Sequence, residues 1–170
     1  KNRQKTSIHS LDHRQPGEHL TEVLGDEAAK WIRNNAEKPF FMYMSFYGLH
    51  TPIMGRKDLV EKYQELGKEN ARFLALTESL DIAVGSILQA LKDSGVEENT
   101  VILFSGDNGG YSPFSNNGQL RSGKSSPYEG GTRTPMFVKW PGVTEAGAKS
   151  KELVVTHDFA ATIAEITGAK

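Results

Sequence analysis

The stretch from Thr100 to Gly110, Thr-Val-Ile-Leu-Phe-Ser-Gly-Asp-Asn-Gly-Gly, constrains the fold more than any other part of the chain. Val101-Ile102-Leu103-Phe104 is short, β-branched and aromatic, and it ends in turn residues, which predicts a buried strand. A strand apolar on both faces suits the interior of a mostly parallel sheet covered by helices. Asp107 and Asn108 follow at once, flanked by Gly106, Gly109 and Gly110, which permit sharp turns and close backbone approach. In open α/β sheets ligands sit just past the carboxyl ends of strands. A carboxylate and an amide oxygen there are hard donors suited to Ca²⁺ or Mg²⁺. The same residues also suit an ordinary Asx turn closing a strand, so the rest of the chain has to decide.

A second apolar stretch repeats the arrangement. Phe40-Phe41-Met42-Tyr43-Met44-Ser45-Phe46 predicts a strand, and Tyr47-Gly48-Leu49-His50-Thr51-Pro52 the loop after its carboxyl end. Pro52 biases Thr51 toward extended backbone and so restricts the His50 loop. His50 taken alone reads either as a satisfied loop histidine or as a catalytic one. Residues 70–94 hold the strongest helical pattern, with Phe73, Leu76, Leu80, Val84, Ile87, Leu88 and Leu91 on one face, and Gly95 stops it. Strand, long helix and strand form a βαβ unit whose crossover is right-handed. The two strands are then parallel, and their C-terminal loops, bearing His50 and Asp107, point the same way.

Residues 20–35 predict another helix, with Leu20, Val23 or Leu24, Ala28, Trp31 and Ile32 recurring at helical spacing. Gly25-Asp26 is a candidate interruption, with Asp26 capping the second part. Residues 53–69 read as charged surface with a short helix near 59–66. Met136-Phe137-Val138-Lys139-Trp140 is a further strand, stopped by Pro141-Gly142. A last helix runs to Thr167 with Gly168 past its end. Phe159, Ile163 and Ile166 give its buried face, Thr156 or Asp158 its N-cap, and His157 belongs to the cap region. Residues 1–19 form a poorly defined arm. They hold His9, His13 and His19 without a consistent ligand spacing and are assigned no site.

The loop from Tyr111 to Gly131 is polar and rich in Gly and Ser, and its length marks it as functional or disordered rather than merely connecting. Lys124 lies in it with no apolar face to support. It is either a solvated lysine or a cation brought to an anionic substrate near a metal.

The 170 residues suffice for one domain with a real core. With 20 basic and 21 acidic residues the formal net charge is −1, which gives no reason to expect nucleic acid or an anionic membrane as partner. No apolar run approaches the ~20 residues of a membrane span. The absence of cysteine removes disulfides, thiolate metal sites and a Cys nucleophile. The chain starts without Met and without a signal peptide; it reads as a processed or excised piece of a parent protein.

Several motifs occur in a telling order: His50-Thr51-Pro52, the long helix with Leu80-Asp81-Ile82-Ala83-Val84-Gly85, Ser105-Gly106-Asp107-Asn108-Gly109-Gly110, Gly123-Lys124, Tyr128-Glu129-Gly130-Gly131-Thr132-Arg133-Thr134-Pro135, Trp140-Pro141-Gly142 and Asp158-Phe159-Ala160-Ala161-Thr162-Ile163. Each alone is weak, but together and in sequence they resemble the later half of the catalytic domain of type I, arylsulfatase-like sulfatases of the alkaline phosphatase superfamily. The resemblance spans about residues 18–170. It implies an α/β fold with a mostly parallel mixed sheet sandwiched by helices, incomplete in this chain, which makes residues 1–170 a single partial domain. It further implies that Asp107 and Asn108 supply oxygen ligands to an active-site Ca²⁺, that Lys124 contacts the sulfate, and that His50 binds the sulfate and assists departure of the alcohol oxygen. Glu129, Gly130 and Gly131 shape a turn, and Arg133 holds it through a carboxylate. A metal and Lys124 would neutralise the sulfate oxygens, and a histidine cation can protonate a poor leaving group near neutral pH.

Such enzymes use a formylglycine made from Cys or Ser in a Cys/Ser-x-Pro/Ala-x-Arg motif. Ser125-Ser126-Pro127 begins like the serine form, but Glu129 stands where arginine belongs. The nucleophile, a paired-aspartate ligand set and a lysine–histidine pair are therefore expected upstream of residue 1, and the fragment alone is expected to be inactive. The implied substrate is a small-molecule or glycan sulfate ester, and the implied location of the parent is periplasmic or secreted. Two alternatives stay open: a phosphoester or phosphonate hydrolase of the same superfamily, and a non-catalytic sulfatase-like binding domain. An incomplete sheet exposes an edge, so the isolated chain is expected to be marginal or to associate unless the missing N-terminal segment or another chain covers it.

Overall fold

The computed structural model describes residues 11–15 and 17–169; His9 lies outside the described residues. The elements are α1 (Leu20–Asn35), α2 (Lys57–Lys62), α3 (Lys68–Asp93), β1 (Ile102–Ser105), α4 (Glu129–Thr132), β2 (Met136–Lys139) and α5 (Thr156–Thr167), with short 3-10 turns at Gln64–Leu66 and Glu97–Asn99. The chain is therefore mixed α/β.

The helical layer is built on α1 against α3. α1 is one uninterrupted helix, so Gly25-Asp26 does not break it. Gly25 instead sits where the helices cross, because a Cβ there would lie 2.7 Å from the Ala83 backbone. The buried face of α3 is accordingly made of small residues, Ala71, Ala75, Ser79, Ala83 and Ala90, with Leu76 and Leu91. The larger side chains expected to form that face are turned aside: Phe73, Leu80, Val84 and Ile87 are half-buried and Leu88 is exposed. Close packing at a glycine selects small partners and displaces the big ones to the flanks. Ala29, Ile32, Ala90 and Leu91 form the core, joined by Phe40, Met42, Ile87, Val96 and Ile102. Full burial of a side chain such as Ile32 is worth about 1.5–3 kcal/mol. α3 ends in a Schellman motif: Gly95 adopts φ +68°, Val96 N–H donates to Leu91 O and Gly95 N–H to Lys92 O.

By length and composition alone, α3 is long and apolar enough for a membrane span. In this structure its buried face packs on α1, and Glu78 on it pairs with Lys62 of α2.

Of the segment before α1, the described residues His13, Arg14 and His19 are tied to the rest of the chain. Arg14 pairs with Asp26 at 2.8 Å, His13 with Glu27 at 3.0 Å, and His19 donates to the Met54 carbonyl at 2.7 Å. Asp26 thus serves this pairing and caps nothing.

The sheet differs from expectation. Among the described residues it has two strands, β1 and β2, and they are antiparallel, with Ile102 opposite Lys139 and Ser105 opposite Met136. The expected parallel partner, residues 40–46, forms no ladder here. Its side chains nevertheless alternate between half-buried and exposed, the period of a strand. Pairing is non-local, and among the described residues none is hydrogen-bonded as a strand beside 40–46. β1 is likewise not buried on both faces: Ile102, Leu103 and Ser105 are half-buried and Phe104 is exposed. The face of α5 is likewise only half-buried at Phe159, Ile163 and Ile166. Its N-cap is Val155, whose N–H donates to Asp158 at 2.7 Å, in place of Thr156 or Asp158.

Candidate active site

The antiparallel register of β1 and β2 sets the site. It lays residues 130–135 beside residues 106–110, so the loop after β1 and the loop before β2 become one unit. Gly106 N–H donates to Pro135 O, Gly109 N–H to Gly131 O, and Lys124 N–H to Gly110 O at 3.0 Å. Thr134 Oγ1 donates to Gly106 O. The two backbones approach so closely that only glycine fits at several points. A Cβ on Gly109 would lie 1.8 Å from Gly130 O, one on Gly130 2.1 Å from Ser122 O, and one on Gly131 2.1 Å from Ser126 O. α4 is this contact point, and Gly130 and Gly131 are buried in it. Arg133 reaches Glu129 at 3.7 Å, as expected for a turn-holding pair.

Asp107 and Asn108 therefore stand at the carboxyl end of β1, with Lys124 two residues past Ser122 on the facing loop. Among the described residues no hydrogen bond engages the side chains of Asp107 or Asn108, so their oxygens are open to a ligand, with Asp107 exposed and Asn108 half-buried. A hard cation fits this donor chemistry, although Ca²⁺ takes ~6–8 oxygens and Asp107 and Asn108 supply only part of that set. Among the described residues no cluster of three or more His, Cys, Asp or Glu offers a complete cage.

His50 is placed separately. Its loop leans on α3, where Gly48 lies against Leu80. His50 Nδ1 donates to the Thr51 carbonyl at 2.8 Å, which leaves Nε2 for a proton-transfer partner. Among the described residues no hydrogen bond ties His50 to the Asp107–Lys124 unit. Arg56 joins α1 to α2: hydrogen bonds to Asp58 and then Glu22 hold its guanidinium pKa above the ordinary value.

Backbone strain falls beside these residues. Leu49, Ser122 and Ser125 are the described non-glycine residues with positive φ, at +71°, +67° and +72°. Leu49 precedes His50, and the two serines flank Lys124. A non-glycine residue in this region costs about 1–2 kcal/mol, and such outliers cluster where a fold fixes a functional side chain. The sequence does not announce them, since serine in a Gly- and Ser-rich loop looks like filler. It also conceals Asn117, whose amide bridges Gly110 and Ser122, and Arg121, whose guanidinium lies 3.6 Å from the centre of the Tyr128 ring.

The sulfatase family model matches residues 1–169, so the chain belongs to the sulfatase family. It is 40% identical over 168 residues to a sulfatase of Formosa agariphila, covering 89% of this chain and 30% of that protein. It is 33% identical to human steryl-sulfatase, covering 89% of this chain and 27% of the relative. Among solved structures, Ps i-CgsB in complex with k-i-k-neocarrahexaose superimposes with a TM-score of 0.85 at 32% identity, over 90% of this chain and 35% of that one. The chain thus spans about 30% of the length of the first of these relatives.

Proposed function

We propose that this chain is the later part of the catalytic domain of a sulfuric ester hydrolase. What supports the reading is the binding of the Asp107–Asn108 loop and the Lys124 loop into one unit, in a chain of the sulfatase family. Asp107 and Asn108 would hold a Ca²⁺ ion, with Mg²⁺ as the other hard cation of suitable chemistry; when bound, it supplies positive charge at the sulfate oxygens. Lys124 binds and orients the sulfate by its ammonium charge. His50, its Nδ1 engaged by Thr51, holds the proton for the leaving alcohol oxygen at Nε2. The formylglycine nucleophile comes from a segment outside this chain, since Ser125-Ser126-Pro127 lacks the arginine of the motif and Ser126 Oγ accepts the Tyr128 N–H.

The mostly parallel sheet belongs to the same proposal. Residues 40–46, extended with alternating burial, are its candidate next strand, and the missing part of the domain supplies the pairing. A sulfated glycan is the favoured substrate class, on the strength of the carrahexaose-bound neighbour and a canine N-acetylgalactosamine-6-sulfatase 31% identical over 156 residues. A periplasmic or secreted location follows from the family resemblance alone. The test is hydrolysis of matched sulfate and phosphate monoesters by the full-length protein. Sulfate-ester turnover that falls at least ~100-fold on Lys124→Ala is expected. Faster phosphate-ester turnover would favour the phosphohydrolase alternative, and no turnover of either would favour a binding domain.

A further inference from the structure

We propose that Asn117 is the positioning residue for Lys124, an inference that rests on reading Lys124 as the sulfate-binding cation. Asn117 Oδ1 accepts the Gly110 N–H at 3.0 Å, while Nδ2 donates to Gly110 O at 3.3 Å and to Ser122 O at 3.0 Å. One acceptor and both amide hydrogens are thereby used, and no other side chain of this size offers that combination. The amide spans the two halves of the site: Gly110 follows Asn108 by two residues, and Ser122 precedes Lys124 by two. Gly110 O also accepts the Lys124 N–H at 3.0 Å, so Asn117 and Lys124 share an anchor. The fit is tight, because a Cβ on Gly123 would lie 2.5 Å from Gly110 O and 2.9 Å from Asn117 Nδ2.

The bond to Ser122 acts at the strained point. Ser122 holds φ +67°, and its carbonyl is wedged against Gly130. Without Asn117 that carbonyl loses its donor, Ser122 is free to leave the left-handed region, and the direction in which the chain delivers Lys124 changes. Asn117 touches neither substrate nor metal in this account; it holds Gly110 and Ser122, and through them Lys124.

The test is a double-mutant cycle in the full-length protein with an aryl sulfate. Asn117→Ala and the isosteric Asn117→Asp, which keeps the acceptor and loses both donors, are each expected to lower kcat/KM by about 10–100-fold, chiefly in kcat, with a melting temperature that tracks neither loss. In the Lys124→Ala background the same substitutions should cost less than about threefold more. Losses that multiply in full in that background, or single variants of undiminished activity, overturn the inference while leaving the sulfatase reading intact. Failure of both Asn117 variants to fold also overturns it, in favour of a purely structural role. Undiminished activity of Lys124→Ala overturns the reading of Lys124 beneath it.

Discussion

The helical layer and the sheet layer of this chain are finished to different degrees. α1 and α3 close on each other with Ala29, Ile32, Ala90 and Leu91 in a sealed core. Phe137 of β2 is 65% exposed, and Phe41, Tyr43 and Leu153, outside any described strand, are 64%, 81% and 97% exposed. A helix satisfies its own backbone and needs one packing partner, whereas a strand needs neighbours that are distant in sequence. The loops of the candidate site meet through glycine-to-glycine backbone contact around α4.

Gly109→Ala drives a methyl group into Gly130 O and should destabilise the full-length protein by on the order of 3 kcal/mol or more, read from denaturant midpoints. A neutral result would show the loops to be independent. Gly25→Ala tests the helical layer in the same way. The Ala83 backbone at 2.7 Å must shift, at about 1–3 kcal/mol, and because the helices can separate slightly the loss should be the smaller of the two.

Tyr43→Ser distinguishes the layers differently. On an exposed surface the change would stay within about 0.5 kcal/mol. In the full-length protein, where the proposed sheet covers this face, it should cost about 1–3 kcal/mol. Equal tolerance in both settings would remove residues 40–46 from the sheet.

The smallest effect concerns acid stability of the helical layer. The hydrogen bond from Lys62, then that from Tyr63, lowers the Glu78 pKa from 4.5. A carboxylate with a depressed folded-state pKa contributes stability that is fully present above the unfolded value and lost as pH falls through the folded one. Glu78→Gln should therefore flatten the melting-temperature profile below about pH 4.5 and leave it unchanged in slope near neutrality. An unchanged acid limb would show the pair to be solvated and idle.

The sequence is legible where structure is local. The α1 bounds, the Gly95 stop, the short helix near residues 59–66 and the β2 strand all follow from periodicity and capping. The positions of Asp107 and Asn108 just after a strand follow from the same logic. What escapes is what depends on a third element. The buried face of α3 is set by Gly25 at Ala83 and by Gly55 at Ala75, the partner of β1 by the return of residues 130–139, and the path of the loop around Lys124 by the Asn117 hydrogen bonds to Gly110 and Ser122. None of these has a periodic or compositional trace.

If Asp107 and Asn108 present oxygen donors to a cation beside Lys124, as proposed, sulfate-ester turnover depends on that cation. The most direct measurement is sulfate-ester hydrolysis by the full-length protein, chelated and then titrated with Ca²⁺, for the wild type and for Asp107→Ala. Chelation is expected to abolish turnover, Ca²⁺ to restore it in the wild type, and Asp107→Ala to shift the half-restoring concentration upward by at least about tenfold. Turnover that survives both chelation and Asp107→Ala would contradict the proposal.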